Sequence, residues 1–435
     1  MQEDRESSAR ALIHDWNSEG GGRVPVALPE LLDQTLRDGL QSPSVQTPSI
    51  AEQIELLHLM PLIGVSAVEV GLPAAGRQAA EQARRLVLEI ESAGLPLEPL
   101  CAARTLEKDI APILDIAESV GRPVVVSVFV GSSSIRHYAE GWEIGKLAAQ
   151  AAKAVRFARD RGCQVMFVTE DTTRACPEHL AALYGAAIGA GAARICIADT
   201  TGHATPGGVR ALVGFLRTVV ARENPEVKID WHGHQDRGLG VANALEALES
   251  GAHRVHGTAL GVGERTGNAP LDQILVNLHL LGWFGAGFPQ GLSSLGAYVA
   301  AASKALRMPI PSNYPVFGRD AFRTATGVHA AAILKARALG EDDLADRVYS
   351  AVPASLVGLT QQIEVGPMSG ESNVRLWLAE RGFASTPERI AVILERAKAS
   401  DRVLSSGEIL DALTGRSGEG VLSVPEPPAQ REKIR

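Results

Sequence analysis

The feature that most constrains the fold is a regular alternation of short strand-like runs with longer helical stretches between residues 30 and 281. Most of the short runs are continuously apolar, which is typical of parallel strands covered on both faces. Parallel neighbours need a crossover connection, and a helix usually supplies it. The predicted strands lie at 30–33, 67–71, 98–102, 124–130, 164–169, 194–198, 228–231 and 254–258.

The longer stretches are rich in Ala, Leu and Glu and carry apolar residues at helical spacing. Pro177 and Pro206 stand where a first helical residue is expected, and Gly94 and Gly251 stand just past two predicted helix ends. The predicted helices lie at 50–62, 78–93, 106–120, 143–161, 177–188, 206–222, 239–249 and 270–281.

Eight strand–helix units predict an α/β protein with a (β/α)8 TIM barrel, followed by a smaller, mainly helical C-terminal region. A doubly wound open sheet is the alternative, but it calls for a glycine-rich turn after the first strand, and residues 33–39 do not form one. We predict a lead-in at 1–26, the barrel domain at 27–285, a C-terminal subdomain at 286–417 and a disordered tail at 418–435.

Composition narrows the function classes. The chain has 435 residues, 45% of them hydrophobic, so a large core is expected. Its net charge of −8 argues against nucleic acid as the main partner. We expect no signal peptide, no membrane span and reduced cysteines, since none of the four lies in a CxxC pair, and therefore a cytoplasmic protein.

The polar residues collect where the predicted strands end, which in a barrel is the face that carries active sites. His232 and His234 lie two residues apart at the end of the seventh strand, so both imidazoles point to one face. A structural histidine pair is the alternative to a metal site. With Asp38 after the first strand as third ligand, they favour a divalent ion, with Mg, Mn, Zn and Co not distinguished. Asn268 could contact the ion directly or through water, or belong to a structural turn.

Other strand ends supply candidates for substrate chemistry. Arg37 could stabilise an enolate or alkoxide, with a rim ion pair as the alternative. Glu170 could act in acid–base chemistry or be a solvated loop carboxylate. His329 lies beyond the barrel, where a lone histidine is usually structural. The remaining candidates, all for substrate binding, are Gln41, Arg104, Arg136 and Thr200.

The motifs at 36–43, 232–238 and 261–268 resemble those of metal-dependent TIM-barrel acyltransferases and lyases, the family of 2-isopropylmalate synthase, homocitrate synthase and HMG-CoA lyase. The resemblance covers residues 28 to 375. It implies a metal on Asp38, His232 and His234, carbonyl or enolate contact by Arg37, and keto-acid contacts by Glu170 and Thr200.

The same resemblance favours the synthase branch. The loop at 263–268 lacks the cysteine of the lyases, and the segment 326–329 matches a motif that brings a catalytic histidine into the partner subunit's site. His329 is thereby implied as a catalytic base, and a homodimer is implied with it. Leu40, Gln235 and Thr324 depart from the synthase pattern.

The expected reaction condenses acetyl-CoA, the co-substrate, with an α-keto acid and hydrolyses the thioester. Arg136 favours a keto acid with a second acidic group, as in homocitrate, citrate or phosphonomethylmalate synthesis. Arg136 could instead contact the phosphates of the acyl-CoA. The alternatives are a 2-isopropylmalate or citramalate synthase, a carbon–carbon lyase, and a barrel without catalytic activity.

Overall fold

The computed structural model describes residues 12–17, 24–284 and 292–414. Eight parallel strands close into a barrel in chain order, and the last pairs with the first through Leu31 and Val255. The predicted (β/α)8 TIM barrel is therefore confirmed. The strands are β1 (Glu30–Asp33), β2 (Ala67–Glu69), β3 (Glu98–Arg104), β4 (Val125–Gly131), β5 (Val165–Glu170), β6 (Arg194–Asp199), β7 (Lys228–Gly233) and β8 (Arg254–Gly257).

Every predicted barrel helix is present, and the loop after β4 carries one more that the sequence analysis did not predict. The additional helix is α4, whose seven residues are too few to give a clear helical period. The barrel helices are α1 (Ile50–Leu59), α2 (Arg77–Ser92), α3 (Glu107–Val120), α4 (Ser134–Glu140), α5 (Ile144–Arg159), α6 (Pro177–Gly189), α7 (Pro206–Glu223), α8 (Gly240–Ser250) and α9 (Leu271–Leu280).

Local sequence explains where several helices begin. Ser49 forms a capping box with Glu52 at the start of α1, and the Thr205 hydroxyl caps α7 directly before Pro206. Each cap satisfies an amide that the helix leaves unbonded and contributes about 1 kcal/mol. These caps fix the bounds of the connections that follow the strands, and the candidate site lies on those connections.

The barrel interior contains a buried ionic cluster as well as apolar side chains. Arg194 and Arg254 are the first residues of β6 and β8, so their side chains lie at the end of the barrel opposite the strand C-termini. Both donate to Asp230 of β7, which also accepts from His256. We call Arg194, Asp230, Arg254 and His256 the floor cluster.

Of the described residues, 24–284 and 292–310 form the barrel unit, whereas 12–17 and 311–414 belong to a second compact unit. Helix α10 (Leu295–Leu306), placed by the sequence analysis in the subdomain 286–417, therefore lies in the barrel unit. Its Tyr298 hydroxyl donates to Asp33, which explains the grouping. Of the predicted lead-in 1–26, only 12–17 and 24–26 are described, and the predicted tail 418–435 lies outside the described residues.

The second unit is mainly helical. A short parallel pair joins β9 (Arg323–Thr324) to β10 (Gln362–Ile363), and one apolar core forms around Trp377. In the described ranges, no helix combines the length and apolar composition needed to cross a bilayer. The unit's helices are α11 (Gly327–Ala338), α12 (Asp342–Arg347), α13 (Glu371–Glu380), α14 (Pro387–Lys398) and α15 (Ser406–Thr414).

Candidate metal and active site

Two strand ends bring one carboxylate and two imidazoles together at the mouth of the barrel. His232 is on β7, His234 follows it on the same face, and Asp38 lies in the loop after β1. The Oδ2 atom of Asp38 lies 4.0 Å from Nε2 of His232 and 3.8 Å from Nε2 of His234. One ligand atom from each residue falls within 4.8 Å of the other two. We call these three residues the carboxylate–histidine cluster.

The protonation states suit a cation. Burial lowers the pKa of His232 and of His234, so both imidazoles are neutral and keep a lone pair. Burial acts in the opposite sense on Asp38, but the guanidinium of Arg37 and the two histidines outweigh it and hold the Asp38 pKa well below its ordinary value. One anion and two neutral nitrogen donors form a ligand set that divalent ions accept.

Several polar atoms in this region are buried without a hydrogen-bond partner among the described residues. They are Oδ2 of Asp38, Nδ1 of His234 and Oδ1 of Asn268. A buried polar atom left without a partner destabilises a protein by roughly 1–3 kcal/mol. A bound divalent ion with its water is a partner that fits Oδ2 of Asp38 and Oδ1 of Asn268, because both adjoin the cluster.

The glycine-rich loop after β8 holds Asn268 against His234. These two residues form an isolated antiparallel bridge. A Cβ on Gly267 would lie 1.9 Å from the carbonyl oxygen of Gly261, and a Cβ on Gly263 would lie 2.3 Å from the Asn268 amide. Glycine is therefore required at both positions for the loop to close on the site.

Arg37 is fixed from two sides. Its Nη1 donates to Oδ1 of Asp38 at 2.6 Å, and its Nε donates to Oε2 of the fully buried Glu69 at 2.7 Å. The pair with Glu69 leaves the guanidinium directly beside the carboxylate–histidine cluster. A cation held rigidly there can stabilise negative charge that develops on a bound oxygen.

A cavity of about 260 Å³ opens above the cluster. The structure brings most of the predicted site residues to it, and several apolar side chains share the wall. The predicted residues that line it are Arg37, Asp38, Gln41, Glu170, Thr200, His232 and His234. The apolar wall includes Ala102, Phe129, Met166 and Val168.

Arg136 lies behind Glu170. Its Nη1 donates to Glu170 at 3.1 Å, its Nε lies 3.1 Å from Glu140, and its guanidinium stacks over Trp142. The side chain is therefore held by two carboxylates and does not belong to the lining of the 260 Å³ cavity.

Arg104 lies in a different depression. Its guanidinium forms two hydrogen bonds with Asp109, and it lines a cavity of about 420 Å³ with Arg77 and Lys108. Three cations face one carboxylate there, so the depression carries a net positive charge.

His329 is in the second unit, at the start of α11. Its ring stacks on Tyr349 with the centroids 3.9 Å apart. The imidazole therefore packs against a phenol ring that is about half exposed.

Four residues that line the cavity or support it were not among the predicted site residues. Gln34 bonds to both His232 and Glu69, and Glu264 and His256 line the cavity wall. Gln34 and Glu264 lie within strand-end motifs, and that position was the available signal. Glu69 is the last residue of β2, so the strand-end position was a signal there too, whereas His256 lies inside β8, where nothing in the sequence separates an inward polar residue from an outward one.

Comparison with known proteins identifies the relatives of the chain. A family model described as HMGL-like matches residues 28–293. A homocitrate synthase of Methanopyrus kandleri is 33% identical over 371 residues, 84% of this chain and 86% of the relative. A homocitrate synthase of Saccharolobus solfataricus is 30% identical and covers 93% of this chain and 83% of its own length. A probable 2-isopropylmalate synthase of Methanopyrus kandleri is also 30% identical, over 85% of this chain and 69% of the relative.

Solved structures agree on the fold. An HMG-CoA lyase from Brucella melitensis matches with a TM-score of 0.53 at 19% identity, over 64% of this chain and 99% of its own. The HMG-CoA lyase from Pseudomonas aeruginosa matches with a TM-score of 0.52 at 21% identity, over 65% of this chain and 93% of its own. At such identities the likeness concerns the barrel and not the reaction.

Proposed function

Because the chain belongs to the HMGL-like family, we propose that it is a divalent-metal-dependent synthase that condenses acetyl-CoA with an α-keto acid. The keto carbon would gain the acetyl methyl carbon, and water would hydrolyse the thioester to release CoA. The observation that carries the proposal is the convergence of Asp38, His232 and His234 beside Arg37 at a cavity. The curated relatives described above bear the names of synthases of this kind.

The cluster residues would hold the ion, with Asn268 contributing directly or through water. A divalent ion bound there would polarise the keto group of a chelating substrate. Arg37 would donate to the same oxygen as negative charge develops on it. Glu69 keeps the guanidinium in place, so little reorganisation is needed during the reaction.

We assign the proton transfer from the acetyl methyl group to His329. Its location in the second unit, together with the family motif at 326–329, supports a homodimer in which this histidine serves the partner's site. The stacked Tyr349 ring limits rotation of the imidazole. Glu170 would assist at the keto-acid end, where it lines the cavity.

The keto acid is proposed to carry a second acidic group, with Arg136 as its partner and Gln41 and Thr200 as further contacts. Two carboxylates already pair with Arg136, so a substrate carboxylate would have to displace Glu140 or Glu170. The apolar wall of the cavity favours the runner-up, a branched or short-chain keto acid as in 2-isopropylmalate or citramalate synthesis.

Arg104 is assigned to the acyl-CoA and not to the keto acid. Arg77 and Lys108 share its depression, and three cations match the phosphates of CoA better than a single carboxylate. Ala102, two residues earlier on β3, lines the 260 Å³ site cavity. The end of β3 therefore adjoins both that cavity and the depression lined by Arg104.

The experiment is a thiol-release assay with acetyl-CoA and a panel of keto acids: 2-oxoglutarate, oxaloacetate, phosphonopyruvate, pyruvate and 2-oxoisovalerate. We expect release that depends on a keto acid and is abolished by EDTA. Preference for 2-oxoisovalerate over every diacid would reject the diacid assignment and select the runner-up. Full activity in metal-stripped protein would reject the metal-dependent synthase.

A carbon–carbon lyase is the remaining alternative. It would break the C2–C3 bond of a 3-hydroxyacyl-CoA to give acetyl-CoA and a second product that carries the new carbonyl group, with no added keto acid required. Cleavage of such a thioester, combined with no thiol release from any keto acid in the panel, would replace the synthase with the lyase.

A further inference from the structure

We propose that Gln34 is a positioning residue that fixes the tautomer of His232 and links the carboxylate–histidine cluster to the Arg37–Glu69 pair. The inference rests on the proposed function, because it concerns the way in which a metal ligand is held. Gln34 is buried, at 3% exposure, directly after β1.

The first step is the direction of the hydrogen bond between Gln34 and Glu69. Oε2 of Glu69 already accepts from Nε of Arg37 at 2.7 Å, and Nη2 of Arg37 lies 2.5 Å from the same oxygen. A guanidinium only donates, so this oxygen acts as an acceptor. The Gln34 atom 2.6 Å away must therefore be the amide nitrogen, which donates.

The second step follows from the amide geometry. With its nitrogen turned to Glu69, Gln34 presents its carbonyl oxygen to Nδ1 of His232 at 2.7 Å. A carbonyl oxygen can only accept, so Nδ1 must carry a proton. An imidazole that ligates a metal is neutral, so a proton on Nδ1 leaves the lone pair on Nε2. That nitrogen is the one 4.0 Å from Oδ2 of Asp38.

These bonds form a ring around the site that is complete except between Asp38 and His232. It runs from His232 through Gln34 to Glu69, on to Arg37, and from Arg37 to Oδ1 of Asp38. The gap in the ring lies between Oδ2 of Asp38 and Nε2 of His232, where an ion would be held. Glu69 therefore determines, through Gln34, which ring nitrogen of His232 carries the lone pair, although Glu69 does not bond to His232 itself.

The two histidines differ in this respect. Nδ1 of His234 has no partner among the described residues, whereas Nδ1 of His232 is held by Gln34. Outer hydrogen bonds of this kind orient a ligating imidazole and raise its basicity, and their loss typically weakens metal binding roughly 10–100-fold. We therefore expect Gln34 to contribute to affinity through His232 alone.

The test measures Mn²⁺ binding to the chelator-treated full chain by calorimetry, independently of turnover. Gln34→Met keeps the size of the side chain and removes both hydrogen bonds, so the dissociation constant should rise roughly 10–100-fold. Gln34→Glu keeps an acceptor for His232 but places a second carboxylate beside Glu69. It should bind Mn²⁺ as the unaltered chain does, while kcat falls because the Arg37–Glu69 pair is disturbed.

The matched control is Gln53→Met. Gln53 is also buried, donates a single hydrogen bond to the backbone of Pro48, and lies in α1 away from the cavity. This variant should bind Mn²⁺ as the unaltered chain does, which separates a positioning role from a general packing effect.

Each result decides the inference. Unaltered Mn²⁺ affinity in a folded Gln34→Met variant would overturn it and leave the proposed function standing. If that variant does not fold, loss of Mn²⁺ binding in Gln34→Glu would overturn the inference, and retained binding with reduced kcat would support it. Absence of Mn²⁺ binding to the unaltered chain would overturn the inference together with the metal-dependent function.

Discussion

Strand β7 carries buried polar groups toward both ends of the barrel, and the two groups differ in how completely they are bonded. In the floor cluster, Oδ1 of Asp230 accepts from Arg194 at 2.8 Å, and Oδ2 accepts from Arg254 at 2.7 Å and His256 at 3.0 Å. At the mouth, by contrast, Oδ2 of Asp38 has no hydrogen-bond partner among the described residues. The alternation that points Asp230 inward also points His232 and His234 inward.

The difference separates a structural role from a binding role. A buried charge whose partners are all supplied by the chain has little left to offer a ligand, and breaking its bonds destabilises the fold. Buried oxygen and nitrogen atoms whose lone pairs have no partner destabilise the fold until a ligand binds to them. We therefore expect substitutions in the floor cluster to lower stability, and substitutions in the carboxylate–histidine cluster to remove metal and activity.

The largest effect is expected at His232. His232→Ala should lose Mn²⁺ binding and lower kcat/KM in the thiol-release assay on the order of 10³-fold or more. The reason is that a bound metal lowers the activation barrier by several kcal/mol. Its free energy of unfolding, measured without metal, should fall by about 1–3 kcal/mol, because the Gln34 carbonyl loses its partner but no buried ion pair is broken. Unfolding of the variant under conditions where the parent is stable would show that the mouth, too, is structural.

The next effect is expected in the floor cluster. Asp230→Asn removes the anion that pairs with Arg194 and with Arg254, which is only 1% exposed. Leaving a buried charge without its partner typically destabilises a protein by about 3–5 kcal/mol. Denaturant unfolding measures the change.

The control for Asp230 is Asp160→Asn. This carboxylate pairs with Arg159 on the surface and is mostly exposed, so its loss should lower stability by about 1 kcal/mol at most. Equal losses in the two variants would contradict the distinction between a buried network and a surface ion pair.

The pH dependence of stability should carry the signature of the floor cluster. Burial opposes ionisation of Asp230, but Arg254 and Arg194 hold its pKa well below the ordinary 3.8. Burial lowers the pKa of His256 below the ordinary 6.5. In both cases the unfolded chain binds protons more readily, so stability is present at neutral pH and is lost as the pH falls.

Stability is therefore expected to fall in two separate pH ranges. The buried histidines contribute a decline that begins below about pH 6.5, and Asp230 contributes a further one below about pH 3.8. The free energy of unfolding measured between pH 7 and pH 3 checks this, with Asp230→Asn as the variant in which the lower decline should be shallower. A free energy of unfolding that rises as the pH falls from 7 would contradict this prediction.

The sequence was sufficient for the fold and for the three metal candidates. The alternation of strands and helices depends on local patterns, and His232 and His234 are two residues apart, so neighbouring positions determine their direction. Asp38 could be added because the strand C-termini of a barrel meet at one mouth. These are inferences that need no knowledge of distant contacts.

The remainder depended on contacts between strands far apart in the chain. Gln34 acquires its role from Glu69 and His232, and the sequence separation of 198 from the latter hides that relation. Asp230 and Arg254 lie in short runs that predict buried strands, and periodicity does not reveal that they pair across the barrel. Arg104 was assigned to the substrate from its place after a strand, and Arg136 from the resemblance to homocitrate-type enzymes, but each guanidinium is already bonded to a carboxylate.

The smallest effect is expected at His256, the member of the floor cluster whose ring lies beside that of His232. Its Nε2 donates to Asp230, and its ring lies 5.9 Å from the ring of His232, edge to face. His256→Leu removes one of three donors to Asp230 and leaves both arginines, so stability should fall by about 1 kcal/mol. Mn²⁺ affinity should remain unchanged, because His256 bonds to none of the ligands. A large loss of Mn²⁺ binding in this variant would mean that the floor and the mouth act as one network and that the division between structural and binding charges on β7 is wrong.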